Sequence, residues 1–316
     1  MKKPLIILTG PTAVGKTKLS ISLAQAVNGA IISADSMQVY RHMDIGSAKI
    51  RPEEMCGVPH YLIDVLDPSE EFHVVKFVEL AHEAMEKIYA AGQIPIVTGG
   101  TGFYIQALLK EVDFTESHGE LPIRKQLEEK AATEEGAAEL YRELSEVDPA
   151  SAETIHPNNV KRVIRALEYY HETGQKISEH NEEQKQKESP YCSAYFVLND
   201  ERSILYDRID RRVDQMICDG LVDEVFRLKE MGYTRDLVSM QGLGYKEILE
   251  YLDGECSLED AVYTLKRDTR HFAKRQLTWF KRERDVTWVD QERFSFDRDQ
   301  ILEWMIRDLK ERKIIE

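Results

Sequence analysis

A glycine-rich loop near the N-terminus has the residue types and the spacing that bind phosphate groups. The sequence G-P-T-A-V-G-K-T at residues 10–17 fits the pattern G-x-x-x-x-G-K-[ST]. Glycines let the backbone curl so that successive N–H groups point at phosphate oxygens, and a following helix adds the positive end of its dipole. Lys16 supplies a mobile positive charge, and the Thr17 hydroxyl is placed to ligate Mg²⁺. The predicted pyrophosphate or nucleotide ligands are Gly10, Pro11, Thr12, Ala13, Val14, Gly15, Lys16 and Thr17.

An aspartate is expected close to this loop. Asp35 follows the apolar run at residues 30–33, so it should lie at the carboxyl edge of a parallel sheet, where ligands of such sheets bind. A carboxylate there can hold Mg²⁺, act as a general base towards an acceptor, or simply cap a turn. Asp35 is the only base candidate this close to the loop in the first half of the predicted sheet.

A third apolar run, residues 94–98, leads into the sequence G-G-T-G at residues 99–102. The glycines permit a close backbone approach, and Thr101 can donate a hydrogen bond into the cleft, although a threonine at a helix start is equally natural. Kinases, NTPases and transferases with a pyrophosphate leaving group all use loops of this kind. The loops by themselves therefore leave the reaction open.

The apolar pattern predicts the elements that would position these residues. Short β-branched runs alternate with helical patterns, which is typical of a parallel sheet covered by helices on both faces. We predict helices at residues 16–27 and 74–91, and strands at residues 5–9, 30–33, 61–65, 94–98, 195–198 and 286–289.

The composition changes after about residue 112. Residues 113–153 contain twelve acidic and four basic residues in a helical pattern; a helical stretch at 159–173 and a polar, linker-like run at 178–189 follow. We therefore predict an α/β fold, a P-loop NTPase-like parallel sheet flanked by helices with a helical insertion domain. The catalytic core would comprise residues 1–111 and 191–316, and the insertion residues 112–190.

A basic segment stands out in an acidic chain. Residues 266–284 carry eight basic and two acidic residues, whereas the whole chain has a net charge of −15. Lys266, Arg270 and Lys274 recur every four residues, away from an apolar face, which is typical of a solvated amphipathic helix. A cationic helix with aromatic residues nearby equally suits an RNA backbone and its bases. The acidic total weakens the nucleic-acid hypothesis without excluding it, because recognition depends on a local face.

Other features of the sequence narrow the class of protein. The four cysteines form no C-x-x-C pair, so we predict free thiols rather than a zinc site or a disulfide framework. The first apolar run is too short for a signal peptide, and no apolar stretch reaches the length of a membrane span. We expect a cytoplasmic protein without a membrane partner, and the acidic surface gives no reason to expect more than a monomer.

In combination, the motifs resemble the tRNA dimethylallyltransferase (tRNA isopentenyltransferase) family. The resemblance rests on the loop at residues 10–17, on D-S-M-Q-V-Y-R-H-M-D-I-G-S-A-K from Asp35, and on T-G-G-T-G-F-Y from Thr98. It continues in D-P at 148–149, I-H-P-N-N at 155–159, R-A-L-E at 165–168, G-L-G-Y-K-E at 242–247 and T-R-H-F-A-K-R-Q-L-T-W-F at 269–280. Val14 replaces the usual loop serine and Tyr61 a common second histidine; neither change removes a group that the chemistry needs. No zinc-finger motif follows, which indicates the shorter, bacterial type.

The resemblance implies transfer of a dimethylallyl group from dimethylallyl diphosphate to the exocyclic amine of the adenosine immediately 3′ of the anticodon in tRNA, with release of pyrophosphate. It implies Mg²⁺ as cofactor and Asp35 as the base. It assigns Thr101 and Arg212 to catalysis on the pyrophosphate, and Arg208, one helical turn before Arg212, would share that face. With the basic helix included, the implied tRNA contacts are Asp35, Ser36, Met37, Gln38, Arg124, Asn159, Val160, Lys161, Arg162, Gln241, Gly242, Lys246, Arg270 and Lys274.

Three other functions remain open from the sequence. A P-loop kinase would transfer the γ-phosphoryl group of ATP to a small molecule. A prenyltransferase that acts on free AMP or ADP should need neither the insertion nor the basic helix. A non-catalytic RNA-binding protein is hard to reconcile with an intact Lys16, Thr17 and Asp35.

Overall fold

Six strands form a single sheet in the computed structural model, which describes residues 2–112 and 122–316, with only the backbone described at Pro122 and Lys185. Every strand pairing is parallel, and the strand order is β3-β2-β4-β1-β5-β6. The strands are β1 (Lys3–Thr9), β2 (Gly29–Ala34), β3 (His60–Tyr61), β4 (Ile94–Gly99), β5 (Tyr191–Asn199) and β6 (Thr287–Asp290). The predicted P-loop NTPase-like parallel sheet is confirmed.

The chain divides into two compact units, residues 1–109 with 190–316, and residues 110–189. The first unit contains the sheet and the helices α1 (Lys16–Ala26), α2 (Val74–Ala90) and α3 (Gly102–Lys110, of which the last residue belongs to the second unit). The second unit contains α4 (Pro122–Lys130), α5 (Glu134–Val147), α6 (Pro149–Thr154), α7 (Val160–Thr173) and α8 (Ile177–Gln186). The first unit continues with α9 (Arg202–Cys218), α10 (Leu221–Glu230), α11 (Tyr245–Leu252), α12 (Leu258–Phe280) and α13 (Arg298–Glu311). Residues 113–121, which fall in the predicted insertion, lie outside the described residues.

The central strand β1 is apolar on both faces because the sheet is covered on both faces. Leu5 and Ile7 belong to a core cluster that includes the buried sides of α2, α3 and α10. Ile6 and Leu8 belong to a second cluster that includes the buried sides of α1 and α13. The period of two along the strand sends alternate side chains to opposite layers, which fixes the register of β1.

The glycine loop joins β1 to α1 as predicted. Gly10 has φ +145°, and a Cβ atom there would lie 2.4 Å from the Leu198 carbonyl oxygen, so this position accepts no side chain. The Thr9 hydroxyl donates to the Gly99 carbonyl at 2.6 Å, which ties the end of β1 to the end of β4. The loop is therefore held at the carboxyl edge of the sheet.

The predicted strand at residues 61–65 is wrong beyond Tyr61. Leu62 and Asp64 have φ values of +63° and +56°, in the left-handed region that interrupts a strand. The segment instead donates from Val65 and Leu66 to the Val39 carbonyl, at 2.8 and 3.0 Å. The apolar pattern reflects burial of individual side chains in a turn rather than pairing along a strand.

The second unit has its own core, formed by α4, α5 and α7 through residues such as Leu140, Leu144 and Leu167. The predicted linker at residues 178–189 is wrong, because α8 occupies most of it. The helix begins beside a buried carboxylate: Asp148 accepts hydrogen bonds from Ser178 N at 3.0 Å and from Ser178 Oγ at 2.6 Å. This contact across 30 residues supports a helix start that the polar composition does not signal.

None of the helices in the described residues combines the length and apolar character that a membrane crossing requires.

Candidate active site

A cavity of about 400 Å³ lies within the first unit, at the carboxyl ends of β2 and β4. It brings the glycine loop together with the turns that follow these two strands and with residues of α9 and α12. Its polar and charged lining includes Thr12, Lys16, Thr17, Ser33, Asp35, Ser36, Gln38, Ser47, His60, Thr98, Thr101, Arg212, Gln241, Lys246, Thr269, Arg275 and Gln276. Met37 and Gly242 also line it.

Lys16 is folded back onto its own loop. Its Nζ donates to the carbonyls of Gly10 at 2.9 Å and Pro11 at 2.8 Å. Burial and then the positive charge of Arg212 lower its pKa to about 7, against the opposing effect of Asp35. Because burial and a neighbouring cation disfavour the charged form of Lys16, a bound anion would restore it.

Arg212 adds a second positive charge to the cavity, and Thr12 adds a hydroxyl beside it. Arg212 Nη1 lies 3.5 Å from Thr12 Oγ1, and burial lowers the pKa of Arg212, against the raising effect of Asp35. Thr101 lies at the start of α3, where its N–H donates to the Ala34 carbonyl at 3.2 Å. Its hydroxyl has no hydrogen-bond partner within residues 2–112 and 122–316. These residues and Lys16 supply the donors from which an anion cradle would be formed.

The two oxygens of Asp35 have different surroundings. Oδ1 accepts hydrogen bonds from Met37 N at 2.9 Å and from Gln38 N at 3.4 Å, which is the turn-capping arrangement. Oδ2 receives no hydrogen bond from the part of the chain that the structure describes. Asp35 directly follows β2 and lines the cavity, as predicted. It can therefore cap its turn with one oxygen while the other remains available to a ligand.

The side-chain amide of Gln38 makes contacts within the protein and is not free in the cavity. Its Oε1 accepts from Ser33 Oγ at 3.2 Å, and its Nε2 lies 3.4 Å from the carbonyls of Ser47 and Ala48. These distances are at the long end for hydrogen bonds. A ligand with better donor and acceptor geometry can compete for the amide, so the predicted base-reading role of Gln38 stays a prediction.

The loop at residues 44–47 is held by a buried carboxylate on α10. Glu224 accepts hydrogen bonds from the N–H groups of Asp44, Ile45 and Gly46 at 3.0, 2.8 and 3.1 Å. It also accepts from the Tyr245 hydroxyl at 2.9 Å, and this hydroxyl accepts from Ser47 N at 3.1 Å. The motifs D-I-G-S-A-K and G-L-G-Y-K-E are thereby joined, and they form one wall of the cavity.

Several predicted ligands lie outside the cavity lining. Gly10, Pro11, Ala13, Val14 and Gly15 provide the loop backbone beside it. Arg208 forms an ion pair with the buried Asp200 at 2.6 Å. Asp200 also accepts from Gln291 Nε2 at 3.3 Å, and the same amide donates to the Val14 carbonyl at 2.8 Å. Arg208 is thus linked to the glycine loop through Asp200 and Gln291, and its predicted contact with pyrophosphate stays a prediction.

The basic face of α12 is partly neutralised. Arg270 pairs with Asp210, and Lys266 pairs with Asp214 at 2.6 Å; both carboxylates lie on the neighbouring helix α9. The two helices run antiparallel, so a four-residue spacing of cations matches a four-residue spacing of acids. Lys274 is exposed and has no ionic partner among the described residues.

The remaining predicted tRNA contacts belong to the second unit. Arg124 lies 3.1 Å from Glu128 and 3.6 Å from the buried Glu168. Asn159 precedes α7, and Val160, Lys161 and Arg162 form its first turn. Lys161 and Arg162 are exposed.

The cavity lining also contains residues of α12 that were not predicted as site residues, among them Gln276 and Arg275. Gln276 is buried and joins two loops, and Arg275 lies 5.8 Å from the centre of the Phe272 ring. A signal existed for Gln276: it lies on the buried stripe with Ala273 and Phe280, where a polar side chain requires partners. Arg275 carries no comparable signal.

Thr17 is the side chain of the site that could hold a metal ion. Its exposed side chain lines the cavity beside Lys16, and its hydroxyl has no hydrogen-bond partner among the residues described. Mg²⁺ prefers oxygen ligands and usually takes one or two from the protein and the rest from water and substrate phosphates. The residues present therefore fit a magnesium ion that is bound jointly with a diphosphate.

The sequence matches two family models. One, described as IPP transferase, matches residues 38–283, and one described as isopentenyl transferase matches residues 3–71.

The chain is also similar to named proteins along most of its length. It is 64% identical over 313 residues to a tRNA dimethylallyltransferase of Lachnoclostridium phytofermentans, which covers 99% of both proteins. A crystal structure of a tRNA isopentenylpyrophosphate transferase from Bacillus halodurans has a TM-score of 0.74 and 45% identity, covering 99% of this chain and 98% of that one. A eukaryotic dimethylallyltransferase acting on tRNA has a TM-score of 0.79 and 36% identity, covering 91% of this chain and 74% of that one.

Proposed function

This chain belongs to the IPP transferase family, and we propose that it transfers a dimethylallyl group from dimethylallyl diphosphate to tRNA. The acceptor is the exocyclic amine of the adenosine immediately 3′ of the anticodon, and the second product is pyrophosphate. The chain is thus an enzyme, a tRNA-modifying prenyltransferase.

One observation carries this proposal: a single cavity contains both an anion cradle and a carboxylate oxygen without a partner among the described residues. Lys16, Thr12 and Arg212 lie on the cationic side, and Asp35 lines the same cavity. The charge of Asp35 influences the pKa of both Lys16 and Arg212, so the groups are electrostatically close. A P-loop kinase can also use a carboxylate as its base, so the choice of prenyl transfer over phosphoryl transfer follows from membership of the IPP transferase family.

The cradle would promote departure of the leaving group. The C–O bond between the allyl carbon and the diphosphate breaks, and its electron pair leaves with the pyrophosphate. Lys16, Arg212 and the loop N–H groups offset the negative charge that develops there, an electrostatic effect that is usually large in catalysis. Mg²⁺, held by Thr17 and the diphosphate, would supply additional positive charge when bound.

Asp35 would act as the base. The adenine amine is a poor nucleophile, but its proton becomes acidic as the new C–N bond forms. Oδ2 can accept this proton while Oδ1 continues to cap the turn at Met37 and Gln38. General base assistance of this kind is worth about 10²–10⁴ in rate.

The tRNA anticodon loop would present its adenine to the cavity. A base in a loop is unstacked at modest cost, which permits insertion into a pocket. The proposed tRNA contacts on the first unit are the turn at residues 35–38, the segment around Gln241, Gly242 and Lys246, and the cations of α12. Those on the second unit are Arg124 and the start of α7. We propose that the enzyme acts as a monomer.

The direct test is product analysis. The protein is incubated with Mg²⁺ and labelled dimethylallyl diphosphate, and either unmodified tRNA or AMP is added as the acceptor. Label should appear in tRNA at the adenosine 3′ of the anticodon. Label in AMP alone would identify an adenylate prenyltransferase, and γ-phosphoryl transfer from ATP in a parallel reaction would identify a kinase.

A further inference from the structure

A buried glutamine joins the two loops that are proposed to hold pyrophosphate. Gln276 on α12 is only 6% exposed and lines the cavity. Its Oε1 accepts a hydrogen bond from Thr12 N at 2.9 Å, and its Nε2 donates to the Gly100 carbonyl at 3.0 Å. One side chain thus connects the glycine loop after β1 to the turn after β4.

The orientation of this amide is fixed by its partners. A backbone N–H can only donate and a backbone carbonyl can only accept, so Oε1 must face Thr12 and Nε2 must face Gly100. The fit is tight, because a Cβ atom at Gly100 would lie 2.1 Å from Nε2. A glutamine side chain satisfies both loops, whereas an ionised glutamate would place an acceptor against the Gly100 carbonyl.

Three proposed pyrophosphate ligands depend on these two bonds. Thr12 is held through its N–H, and its hydroxyl lies 3.5 Å from Arg212 Nη1. Thr101 follows Gly100 directly, so the peptide that Gln276 binds sets the position of the Thr101 side chain. A shift of Gln276 would therefore move Thr12, Thr101 and Arg212 relative to one another.

We propose that Gln276 is a positioning residue that fixes the geometry of the pyrophosphate site by bridging Thr12 and Gly100. The inference rests on the proposed function, in that the bound anion is the diphosphate of the prenyl donor. Gln276 acts through the backbone of the two loops, and its role requires both the donor and the acceptor of the amide.

The first test replaces the amide with an apolar side chain of similar length, Gln276→Met. Both hydrogen bonds are lost, and a net hydrogen bond is worth about a factor of ten in an equilibrium constant. We expect the Kd for inorganic pyrophosphate with Mg²⁺, measured by calorimetry, and the KM for dimethylallyl diphosphate each to rise about tenfold. The Kd for tRNA should stay unchanged. Thr278→Val, at an exposed position of the same helix, controls for disturbance of α12 and should leave all three constants unchanged.

The second test uses the pattern of donor and acceptor. A protonated carboxylic acid offers one donor and one acceptor, as the amide does, whereas the ionised form offers acceptors only. For Gln276→Glu, the ratio of the variant's pyrophosphate Kd to that of the native protein should fall as the pH is lowered from about 8 to about 6. A ratio independent of pH would show that neither the donor nor the charge at this position affects the bound anion.

The outcomes separate this inference from the proposed function, since pyrophosphate binding needs no prenyl transfer. A pyrophosphate Kd that is unchanged in Gln276→Met below its melting temperature would overturn the proposal, as would a flat pH ratio in Gln276→Glu. If Gln276→Met does not fold, a flat Gln276→Glu ratio still overturns the proposal. Absence of prenyl transfer by the native protein, with the binding effects intact, would refute the proposed function and leave an anion-site role for Gln276.

Discussion

At the residue scale, two side chains of the candidate site combine a contact within the protein with a proposed contact to a ligand. Asp35 caps its turn with Oδ1, and Oδ2 is left for a ligand. Lys16 rests on the carbonyls of Gly10 and Pro11, from which an anion can draw it. Such double use keeps the functional groups in place before a substrate binds, which lowers the cost of ordering them on binding.

The two roles of Asp35 can be separated by substitution. Asn retains an acceptor for the turn but cannot take a proton, whereas Ala loses both functions. We expect Asp35→Asn and Asp35→Ala each to lower turnover by about 10²–10⁴, with tRNA affinity little changed. Only Asp35→Ala should also lower the melting temperature. A large loss of tRNA affinity with normal turnover of bound substrate would refute the assignment of Asp35 as base.

The lowered pKa of Lys16 predicts that anion binding depends on pH. Its pKa is lowered to about 7, so above this pH the free protein holds Lys16 mainly neutral, and a bound anion draws a proton onto it. Pyrophosphate affinity should therefore fall as the pH rises above about 7, by up to about tenfold per pH unit. Calorimetry in buffers of different ionisation enthalpy should show proton uptake that is reduced in Lys16→Met. Equal uptake by both proteins would contradict the prediction.

At the element scale, helix α12 contributes to the site from two faces. Its buried stripe carries Gln276 between Ala273 and Phe280, and its exposed side carries Lys274 and Arg275. We propose that the buried face fixes the geometry of the two loops and that the exposed face offers positive charge to the tRNA. In the second unit, a single carboxylate performs a comparable structural task for two helices. Asp148 caps α6 through Ser151 N at 3.1 Å and also binds the first turn of α8.

Asp148 predicts an acid sensitivity of the second unit. Although burial raises its pKa, the hydrogen bonds from Ser151 and Ser178 outweigh this effect and lower it below 3.8. A carboxyl with a lowered folded pKa stabilises above the unfolded value and loses that contribution as the pH falls below about 3.8 through the folded value. At neutral pH, Asp148→Asn should lower the free energy of unfolding of this unit by about 2 kcal/mol, because amide hydrogens replace acceptors. Urea titration followed by hydrogen exchange checks this, with the exposed Glu153→Gln as control; equal stabilities would refute it.

At the scale of the whole molecule, RNA binding depends on the local distribution of charge more than on the net charge. The chain carries a net charge of −15, and two cations of α12 are already paired with α9. Lys274 and Arg275 remain exposed near the cavity. An RNA backbone would therefore meet a small cationic area on an acidic protein, which favours binding in one orientation.

This arrangement predicts that tRNA affinity falls steeply with salt. Each phosphate contact contributes about 0.7–0.9 to the slope of log K against log salt concentration. Lys274→Gln should weaken binding and reduce the slope by about one contact. Lys310→Gln removes the same charge from α13, a helix with no residue in the cavity lining, and should change neither. A flat salt response of the native protein would argue against tRNA binding by α12.

The sequence by itself determined the features that depend on neighbouring residues. The glycine loop and the position of Asp35 directly after β2 follow from local spacing and were correct. The predicted basic helix at residues 266–284 was correct up to Phe280, where α12 ends. A phosphate loop is a local structure, because its conformation and its dipole are set within one strand–turn–helix unit. The reaction itself was inferred from the resemblance to a known family.

Only the tertiary structure decided the contacts between distant segments. Thr12 and Gln276 are separated by 264 residues, and Glu224 meets Asp44 across 180 residues. The end of the third strand after Tyr61 and the start of α8 at Ile177 were likewise set by such partners. Periodicity shows that a side chain is buried, but it does not show which donor or acceptor lies opposite. The residues that hold the site in shape were therefore identified by the fold, and those proposed to carry its chemistry by the sequence.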